Sequence, residues 1–457
     1  MSQDRSIVQR YADFAVSLRE TPPSAEVRAH AVRVVLDWFA AALPGAGMEP
    51  ATLAARALSD QVGAGAATLL GSGTPATGQA AALINGTASH IVEFDDIYRD
   101  GLYHPGTPTI SAALAAAEMA GADGPALLLG VIAGYEVSNR IAVAINPRHY
   151  DYWHTTGTVG CFGAAAASSV ILGLNADQTA HALASAATMA AGLQQAFRAE
   201  AMSKPLHSGR AAEAGLLSAR LAAEGVTGAL DVLEGERGFG AAMSGQVDWE
   251  AATSDLGRDW TIGRTTVKNH AACGHVHAAV DAALALKAQH GLKIEDITRI
   301  EAASYQKSVE ICGNATPRTA FEAKFSLPYC VAAGLVLGSV RRTAFDPGPL
   351  ADPAIRALTA KVVHTVDRDC EAAFPKARSA RVAIETQDGR FEIFAPTRKG
   401  DPDNPLTDAE LDAKFLELTE PVLGSAAPTL LARLRSLESG GPITDLMRET
   451  RLPMAAE

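Results

Sequence analysis

Apolar side chains recur every three or four residues through the first half of the chain, the spacing that an amphipathic helix requires. A first such segment begins at Ile7, and a second covers residues 27–39. The same pattern predicts further helices over residues 50–58, 78–92, 108–119, 125–145, 156–174, 176–197 and 209–223. Each segment is bounded by proline, glycine or asparagine, so the first half is predicted to be almost entirely helical.

The pattern changes after about residue 262, where alternation typical of β-strands appears. Residues 297–305, 381–385 and 390–394 alternate, and the last two segments are joined by a turn that contains Asp388-Gly389, a strong hairpin signal. Helices are predicted around these strands over residues 272–289, 325–337 and 353–363. This part of the chain is therefore predicted to form an α+β domain.

From residue 407 to about 437 the amphipathic helical pattern returns. Helices that resemble the first half indicate that the chain rejoins its first domain after the α+β segment. We therefore predict a mainly α protein with a discontinuous all-helical domain, residues 1–265 and 405–457, and a smaller α+β domain, residues 266–404.

Composition narrows the possible partners. Lysine and arginine number 39 against 51 aspartates and glutamates, a formal net charge of −12, which disfavours nucleic acid and a membrane surface as partners. The alanine-rich stretches, such as residues 164–174, are shorter than the roughly twenty apolar residues that span a bilayer. The five cysteines form no CxxC pair and the N-terminal residues show no signal-peptide pattern, so a cytoplasmic location is expected.

Common catalytic signatures are missing. The chain has no GxxxxGK[ST] phosphate loop, no HExxH and no GxSxG, so nucleotide, zinc-protease and serine-hydrolase chemistry lose their usual support. The informative residues are instead four polar clusters set among apolar helices.

The first cluster joins His90, Glu93, Asp95 and Asp96 to the nearby His104. Thr107 is predicted to cap a helix that begins at Pro108, whose amides would suit a substrate carboxylate. A solvated helix end followed by an ordinary turn is the alternative interpretation.

The second cluster places Tyr150, Tyr152 and Trp153 beside His154, an aromatic group in a chain with only 5% aromatic residues. It is interpreted as a pocket wall, and a core histidine bonded to backbone is the alternative. In the third cluster Lys204 precedes a predicted helix, whose dipole lowers the pKa of a lysine and suits it to proton transfer; a surface lysine is the alternative.

The fourth cluster contains Lys268, His270, Cys273, His275 and His277. Zinc was weighed here because histidine and cysteine are its ligands. On a helix Cys273 and His277 would share a face while His275 points away, and no further carboxylate or cysteine pair is spaced to complete the shell. No metal is therefore predicted.

In this order the four clusters resemble the MmgE/PrpD family, which includes 2-methylcitrate dehydratase, cis-aconitate decarboxylase and iminodisuccinate epimerase. The resemblance covers essentially the whole chain. It rests on His90…Glu93-Phe-Asp95-Asp96…His104-Pro105, Gly134-Tyr-Glu-Val137, His154-Thr-Thr-Gly157, Lys204-Pro-Leu-His207-Ser-Gly209-Arg-Ala-Ala212, Leu233-Glu-Gly235…Gly238-Phe239, Lys268…Cys273…His277 and Ala323-Lys-Phe-Ser326-Leu-Pro-Tyr329.

The resemblance implies a large all-helical domain with a smaller α+β lid, a homodimer, and an active site without cofactor. It also implies a di- or tricarboxylic acid substrate that loses a proton next to a carboxylate. The positions that match the family's catalytic residues are Asp95, His104, His154, Lys204 and Lys268, and Cys273 and Tyr329 match the substrate-binding wall.

The chain also departs from the family pattern. The family's Asp-Asp-Thr is Asp95-Asp96-Ile97 here, followed by Arg99 and an extra residue before His104. A lost hydroxyl and a new arginine change the substrate contacts, so Arg99 is predicted to bind substrate. Cys273 stands where the decarboxylase branch tends toward histidine, and the substrate is therefore left open.

We expect a cofactor-independent lyase, either a dehydratase or a decarboxylase. His104 or His154 would serve as the base or acid, Lys204 and Lys268 would neutralise carboxylates, and Asp95 would orient a neighbouring histidine or lysine. An epimerase of an amino- or imino-dicarboxylate is the first alternative. A noncatalytic binding protein that keeps the family fold is the second.

Overall fold

The computed structural model of the chain describes residues 5–197, 201–245 and 247–451. In these residues the protein is mainly α-helical with small sheets. Contacts between Cα atoms divide the chain into two units, Met1–Thr265 with Asp408–Glu457, and Thr266–Thr407.

The first unit is built from helices of very different length. They are α1 (Ile7–Ser17), α2 (Ala25–Ala46), α3 (Ala51–Ala57), α4 (Gly78–Ala88), α5 (Gly106–Ala120), α6 (Gly124–Ile145), α7 (Thr155–Thr158), α8 (Gly160–Ile171), α9 (Ala176–Thr188), α10 (Ser203–Ala223), α11 (Phe239–Met243) and α12 (Trp249–Thr253). Helix α8 packs against α5, α6 and α10, and α10 also packs against α4.

Small residues let these central helices approach one another closely. A Cβ atom at Gly209 would lie 2.1 Å from the Leu83 carbonyl oxygen, and one at Gly215 would lie 2.4 Å from the Ala164 Cβ. Neither distance is compatible with a side chain, so the glycine- and alanine-rich composition is what allows this packing.

Helix α6 is long and apolar enough to cross a membrane, but 83% of its most apolar window is buried inside the protein. Its composition is that of a core helix.

A short antiparallel hairpin, β1 (Val62–Thr68) and β2 (Pro75–Ala76), interrupts the helical first half, so the prediction of nearly pure helix was wrong there. Its residues are mostly glycine and alanine and show no alternation of apolar and polar side chains. Gly65 has φ +135°, and a Cβ there would lie 2.1 Å from the Ala76 carbonyl oxygen. Glycine is therefore required where the two strands meet.

The second unit combines short helices with one sheet. Its elements are α13 (His277–His290), β3 (Ile297–Ser304), α14 (Gln306–Cys312), α15 (Ala320–Lys324), α16 (Leu327–Leu337), α17 (Pro347–Ala351), α18 (Pro353–Thr359), β4 (Val362–Val366), α19 (Arg368–Ala373), β5 (Ala380–Thr386) and β6 (Gly389–Ala395). The strand order is β4-β3-β5-β6, and only β3 and β4 are parallel.

The β5–β6 hairpin turns at the predicted position, with Thr386 opposite Gly389. Strand β4 was missed, because residues 353–363 were predicted to be one helix. Helix α18 ends at Thr359, and the valines that follow pair with β3. Since that partner lies about sixty residues earlier in the chain, local periodicity does not reveal it.

After the second unit the chain forms α20 (Asp408–Leu423), α21 (Ala427–Arg435) and α22 (Ile443–Arg448), which belong to the first unit. Helix α20 packs on α2, where Lys414 and Asp37 form a fully buried ion pair with 2.5 Å between Nζ and Oδ1. The C-terminal helices thus contribute to the core of the first unit.

Candidate active site

The loop between α4 and α5 brings two histidines to one carboxylate. Nδ1 of His90 lies 2.8 Å from Oδ2 of Asp95, and Nδ1 of His104 lies 2.7 Å from the same oxygen. His90 and Asp95 are at most 1% exposed. The His90 contact is a hydrogen bond, whereas the His104 contact is a short approach without hydrogen-bond geometry. A carboxylate this close still favours a proton on Nδ1 of His104, which leaves Nε2 as the basic nitrogen of that ring.

A second pair of histidines shares a single proton. Nδ1 of His154 lies 3.0 Å from Nδ1 of His207, so one ring donates and the other accepts. Burial, followed by the neighbouring charges of His90, His207 and Lys204, lowers the pKa of His154 well below its usual value. Burial also lowers the pKa of His207. Both rings are therefore neutral near physiological pH.

The four rings form one continuous group, which we call the histidine cluster: His90, His104, His154 and His207. Ring centroids are 4.7 Å apart for His90 and His104, and 5.7 Å apart for His90 and His154. Nε2 of His90 is buried without a hydrogen-bond partner among the described residues. Such a nitrogen calls for an explanation, and a molecule bound at the site is one; ring nitrogens of His270, His277 and His364 in the second unit have the same property.

Lys204 pairs with Glu93 beside this cluster, and both side chains are more than 90% buried. The backbone of Glu93 is left-handed, with φ 59°, a conformation that costs of the order of 1–3 kcal/mol for a residue other than glycine. Lys204 was predicted to precede a helix. This prediction was wrong, because Lys204 lies in the first turn of α10. The dipole of this helix favours the carboxylate of Glu93 near its N-terminus.

Asp96 holds the start of α5. Its Oδ1 accepts from the Gly106 amide at 3.1 Å, and its Oδ2 accepts from the Tyr135 hydroxyl at 2.7 Å. A Cβ at Gly106 would lie 2.7 Å from Asp96 Oδ1, so only glycine fits. The helix begins at Gly106, so the prediction that Thr107 caps a helix starting at Pro108 was wrong.

Lys414 supports the middle of the same loop. Its Nζ donates to the Phe94 carbonyl at 2.8 Å and lies 4.2 Å from the centroid of the Phe94 ring. Because Lys414 also pairs with Asp37, a residue of α20 connects α2 to the backbone next to Asp95.

Arg99, Ile97 and Tyr152, which also stand out in the sequence, differ in their exposure to solvent. Arg99 is partly buried and its Nε lies 3.6 Å from Asp100 Oδ1. Ile97, which replaces the family's threonine, is 4% exposed. Tyr152 is 75% exposed and therefore does not belong to an enclosed pocket wall on this chain.

The structure brings together four predicted residues of the first unit, namely Asp95, His104, His154 and Lys204. Three further predicted residues, Lys268, Cys273 and Tyr329, belong to the second unit. Lys268 is buried, and the Tyr329 hydroxyl donates to the Ala344 carbonyl at 2.6 Å. Their participation in the same site stays a prediction.

The histidines near Cys273 have separate partners. His270 Nε2 lies 2.8 Å from Asp281 Oδ1, His275 Nδ1 lies 2.6 Å from the Tyr305 hydroxyl, and His277 Nε2 lies 3.1 Å from the Ala272 carbonyl. Helix α13 begins only at His277, so the shared helical face expected for Cys273 and His277 was wrong.

Within the described residues, the group that could offer three ligand atoms to one metal ion is His90, Asp95 and His104. Two ligands at about 2.0–2.1 Å from a tetrahedral zinc ion are roughly 3.3 Å apart. The nitrogen–oxygen distances of 2.7 and 2.8 Å are shorter than this, and the one to His90 is that of a hydrogen bond. The arrangement therefore suits proton sharing better than metal binding.

Three residues of the site were quoted in sequence motifs but given no role: His90, Glu93 and His207. His207 lies three residues after Lys204 on α10, and this spacing places both on one helix face, which is a usable signal. His90 and Glu93 depend on an irregular loop, so helical or strand spacing gives no signal for them.

Two family models match the chain. The model for the MmgE/PrpD N-terminal domain matches residues 9–252, and the model for the MmgE/PrpD C-terminal domain matches residues 270–435. Together they cover most of the sequence, and the chain belongs to the MmgE/PrpD family.

Similar curated proteins carry decarboxylase names. A cis-aconitate decarboxylase-like protein of Aspergillus oryzae is 28% identical over 97% of this chain and 96% of its own length. Cis-aconitate decarboxylase of Homo sapiens is 29% identical over 82% of this chain and 80% of its own length. Cis-aconitate decarboxylase of Aspergillus terreus is 26% identical over 84% and 83%. With the family match, these relatives identify the chain as a lyase of the decarboxylase or dehydratase type.

Proposed function

We propose that this chain is a cofactor-independent decarboxylase of a di- or tricarboxylic acid, with cis-aconitate as the first substrate to test. The observation that carries the proposal is the approach of two histidines to one buried oxygen of Asp95. The names of the relatives support the choice of cis-aconitate.

Both reactions of this lyase class need a proton donor or acceptor. Loss of carbon dioxide breaks a carbon–carbon bond and leaves its electron pair on the substrate, and a carbon atom then takes up a proton. Loss of water requires a base for the carbon-bound proton and an acid for the departing hydroxyl. A neutral histidine fills either role near neutral pH.

His104 is proposed as the main proton-transfer residue: its Nε2 takes up a proton from solvent and gives it to the substrate carbon after carbon dioxide has left. Asp95 holds its Nδ1 and stabilises the imidazolium that forms when Nε2 takes a proton. His154 is the second titratable group, and Lys204 supplies positive charge for a substrate carboxylate. Because buried surroundings strengthen such charge interactions, one lysine in this site has a larger effect than it would in water.

The ion pair with Glu93 limits which substrate carboxylates Lys204 can bind. This ion pair neutralises the lysine in the resting protein, so a substrate carboxylate has to compete with Glu93 for Nζ. The apolar Ile97 contributes no hydroxyl to a substrate, in contrast to the family's threonine. These two features are the reason to test several polycarboxylates beside cis-aconitate.

The experiment offers cis-aconitate, a hydroxy-tricarboxylate and an amino-dicarboxylate in deuterated water, and measures carbon dioxide release and deuterium in product and recovered substrate. Carbon dioxide release with one deuterium in the product supports the proposal. Deuterium in recovered substrate without release supports an epimerase, and loss of water supports a dehydratase. Binding of all compounds without any reaction would contradict every enzymatic version.

Asp95→Asn tests the role of the carboxylate that His90 and His104 both approach. An amide oxygen orients imidazole less well than a carboxylate and does not stabilise an imidazolium charge, so we expect the rate to fall at least about 10²-fold. Asp123→Asn is the control, because Asp123 caps α6 through the Ala126 amide and asparagine is an equally good cap. Unchanged activity in Asp95→Asn would contradict the proposal.

A further inference from the structure

The contact between His154 and His207 links the tautomers of the two rings, that is, which nitrogen of each neutral imidazole carries the proton. His154 is 2% exposed, and its backbone amide donates to the Gly192 carbonyl at 3.0 Å. His207 is half-buried in the first turns of α10. Its ring is fitted between two glycines, since a Cβ at Gly157 would lie 3.0 Å from the His207 Cβ and one at Gly192 would lie 3.3 Å from its Nδ1.

The shared Nδ1–Nδ1 hydrogen bond determines the tautomer of both rings. If His207 donates, the proton of neutral His154 resides on Nε2, and His154 presents an acid there. If His154 donates, its Nε2 carries only a lone pair and is a base. The side chain at position 207 therefore decides the chemical character of His154, although it touches that residue only through Nδ1.

The other titratable groups of the site favour one of these choices. Asp95 already prepares His104 as a base at Nε2. In a decarboxylation no proton leaves the substrate and the carbon that loses carbon dioxide takes one up, so the useful second group is a proton donor. His154 is kept neutral by burial and by the nearby His90, His104 and Lys204, so an acid at this position has to be a neutral N–H.

We propose that His207 is a positioning residue that donates from Nδ1 to Nδ1 of His154 and thereby holds His154 as a proton donor at Nε2. The direction of donation rests on the proposed function, which requires a proton donor for the carbon that loses carbon dioxide. The geometry alone shows that one of the two Nδ1 atoms carries a proton and the other does not.

The side of His207 that faces away from His154 is open to solvent. His207 lines a recess together with Leu193, Ser203 and Arg210. A ring in this position can accept from water at Nε2 while it donates from Nδ1, which matches the proposed tautomer. When His154 gives up its Nε2 proton, its Nδ1 takes the His207 proton and His207 regains one from water at Nε2, so neither ring is left as an imidazolate.

The direct test is nitrogen NMR of the full-length protein labelled with ¹⁵N-histidine, without substrate. We expect the His154 signals of a neutral ring with its proton on Nε2. A proton on Nδ1 of His154, or rapid averaging between both nitrogens, would overturn the proposal. Because no substrate is present, this result does not depend on whether the proposed reaction is correct.

Three substitutions of His207 distinguish hydrogen-bond donation to His154 from a role in packing alone. His207→Asn retains an amide donor near the Nδ1 position, and we expect the Nε2–H tautomer and activity within about tenfold of the wild type. His207→Asp offers only an acceptor, so we expect the opposite tautomer and at least a 10²-fold lower kcat with a smaller change in KM. His207→Leu fills space without any hydrogen bond and should resemble His207→Asp in rate.

His181→Asn is the control, since His181 bonds to Gly228 outside the histidine cluster and should leave the His154 signals unchanged. Equal activity in the asparagine, aspartate and leucine variants would overturn the positioning role. Wild-type protein without activity on any polycarboxylate would contradict the proposed function, and the NMR result would still decide the tautomer.

Discussion

Each unit of the protein contains a group of buried or half-buried histidines, and the two groups differ in their partners. In the histidine cluster of the first unit, His90 and His104 approach the same oxygen of Asp95, and His154 bonds to His207. In the second unit the partners are separate and mostly uncharged. They are Asp281 for His270, the Tyr305 hydroxyl for His275, the Ala272 carbonyl for His277, and the Ser304 and Ser308 hydroxyls for His364.

The difference concerns where protons can go. A carbonyl oxygen such as that of Ala272 fixes the proton on His277 and cannot take it over. A carboxylate that serves two histidines, or a second imidazole, can accept or release a proton at little cost. Buried histidine therefore indicates a reactive site only when its partners also titrate, and the first unit meets this condition more fully than the second.

The largest expected effect is on activity. His104→Asn removes the proposed proton-transfer residue while keeping a group that can donate to Asp95, and we expect kcat to fall by about 10²–10⁴-fold. His364→Asn is the matched change in the second unit, where burial lowers the pKa of the histidine to about 4 and its partners are serines. We expect it to retain most of the activity.

Assays with cis-aconitate and circular dichroism of both variants make this comparison. Equal losses in the two variants would show that the partners of a histidine do not distinguish reactive from structural positions here. Full activity of His104→Asn would remove His104 from the mechanism.

The next effect is on the stability of the second unit, whose Arg398 and Asp401 are fully buried. Their side chains approach to 2.5 Å, and Asp401 also accepts from the Thr266 hydroxyl at 2.6 Å. Arg398→Met leaves the carboxylate buried without its cation, so we expect the free energy of unfolding to fall by about 3–5 kcal/mol. Denaturant unfolding measures this change.

Arg390→Met is the control, because Arg390 forms its ion pairs with Glu301, Glu385 and Glu392 on the exposed side of the sheet. Solvent screens such pairs, so a much smaller change is expected. Equal losses of unfolding free energy in Arg398→Met and Arg390→Met would contradict a special contribution of the buried ion pair to the stability of this unit.

The helical core and the β5–β6 hairpin could be predicted because their signals are local. Helix α6 follows from its apolar period, and the hairpin follows from Asp388-Gly389. Strand β4 and the pair of Lys414 with Asp37 could not be predicted, since the latter joins residues 377 positions apart. Local patterns contain no information on which distant segments meet.

The same limit applies to the site. Asp95, His104, His154 and Lys204 were predicted because they lie in recognisable polar clusters. Their grouping in three dimensions depends on a loop in which Glu93 adopts a left-handed backbone, a conformation that glutamate rarely takes and that sequence does not reveal. His207 could have been predicted, because it follows Lys204 by three residues on the same helix.

A smaller effect concerns pH and depends on Asp96. Burial, followed by the Asp37 carboxylate, raises the pKa of Asp96 to about 8, above the ordinary value of 3.8. Between these values the folded protein holds a proton that the unfolded chain has released, so stability falls as pH rises. We expect this contribution to fall by about 1.4 kcal/mol per pH unit at its steepest.

Asp96→Asn removes this titration while its amide can still bond to Gly106 and Tyr135. The difference in unfolding free energy between variant and wild type should therefore change in favour of the variant from pH 5 to pH 8. A constant difference would show that Asp96 is charged in the folded protein across this range.

The smallest expected effect is that of metal removal. Nδ1 of His90 and Nδ1 of His104 lie 2.8 Å and 2.7 Å from the same Asp95 oxygen, so a zinc ion would have to push each pair apart by about half an ångström. Dialysis against a strong chelator should leave the rate within about twofold of the untreated enzyme. A rate that is lost on chelation and restored by zinc would reclassify His90, Asp95 and His104 as metal ligands, and the contrast between the two groups of histidines would then be one of metal binding and not of proton sharing.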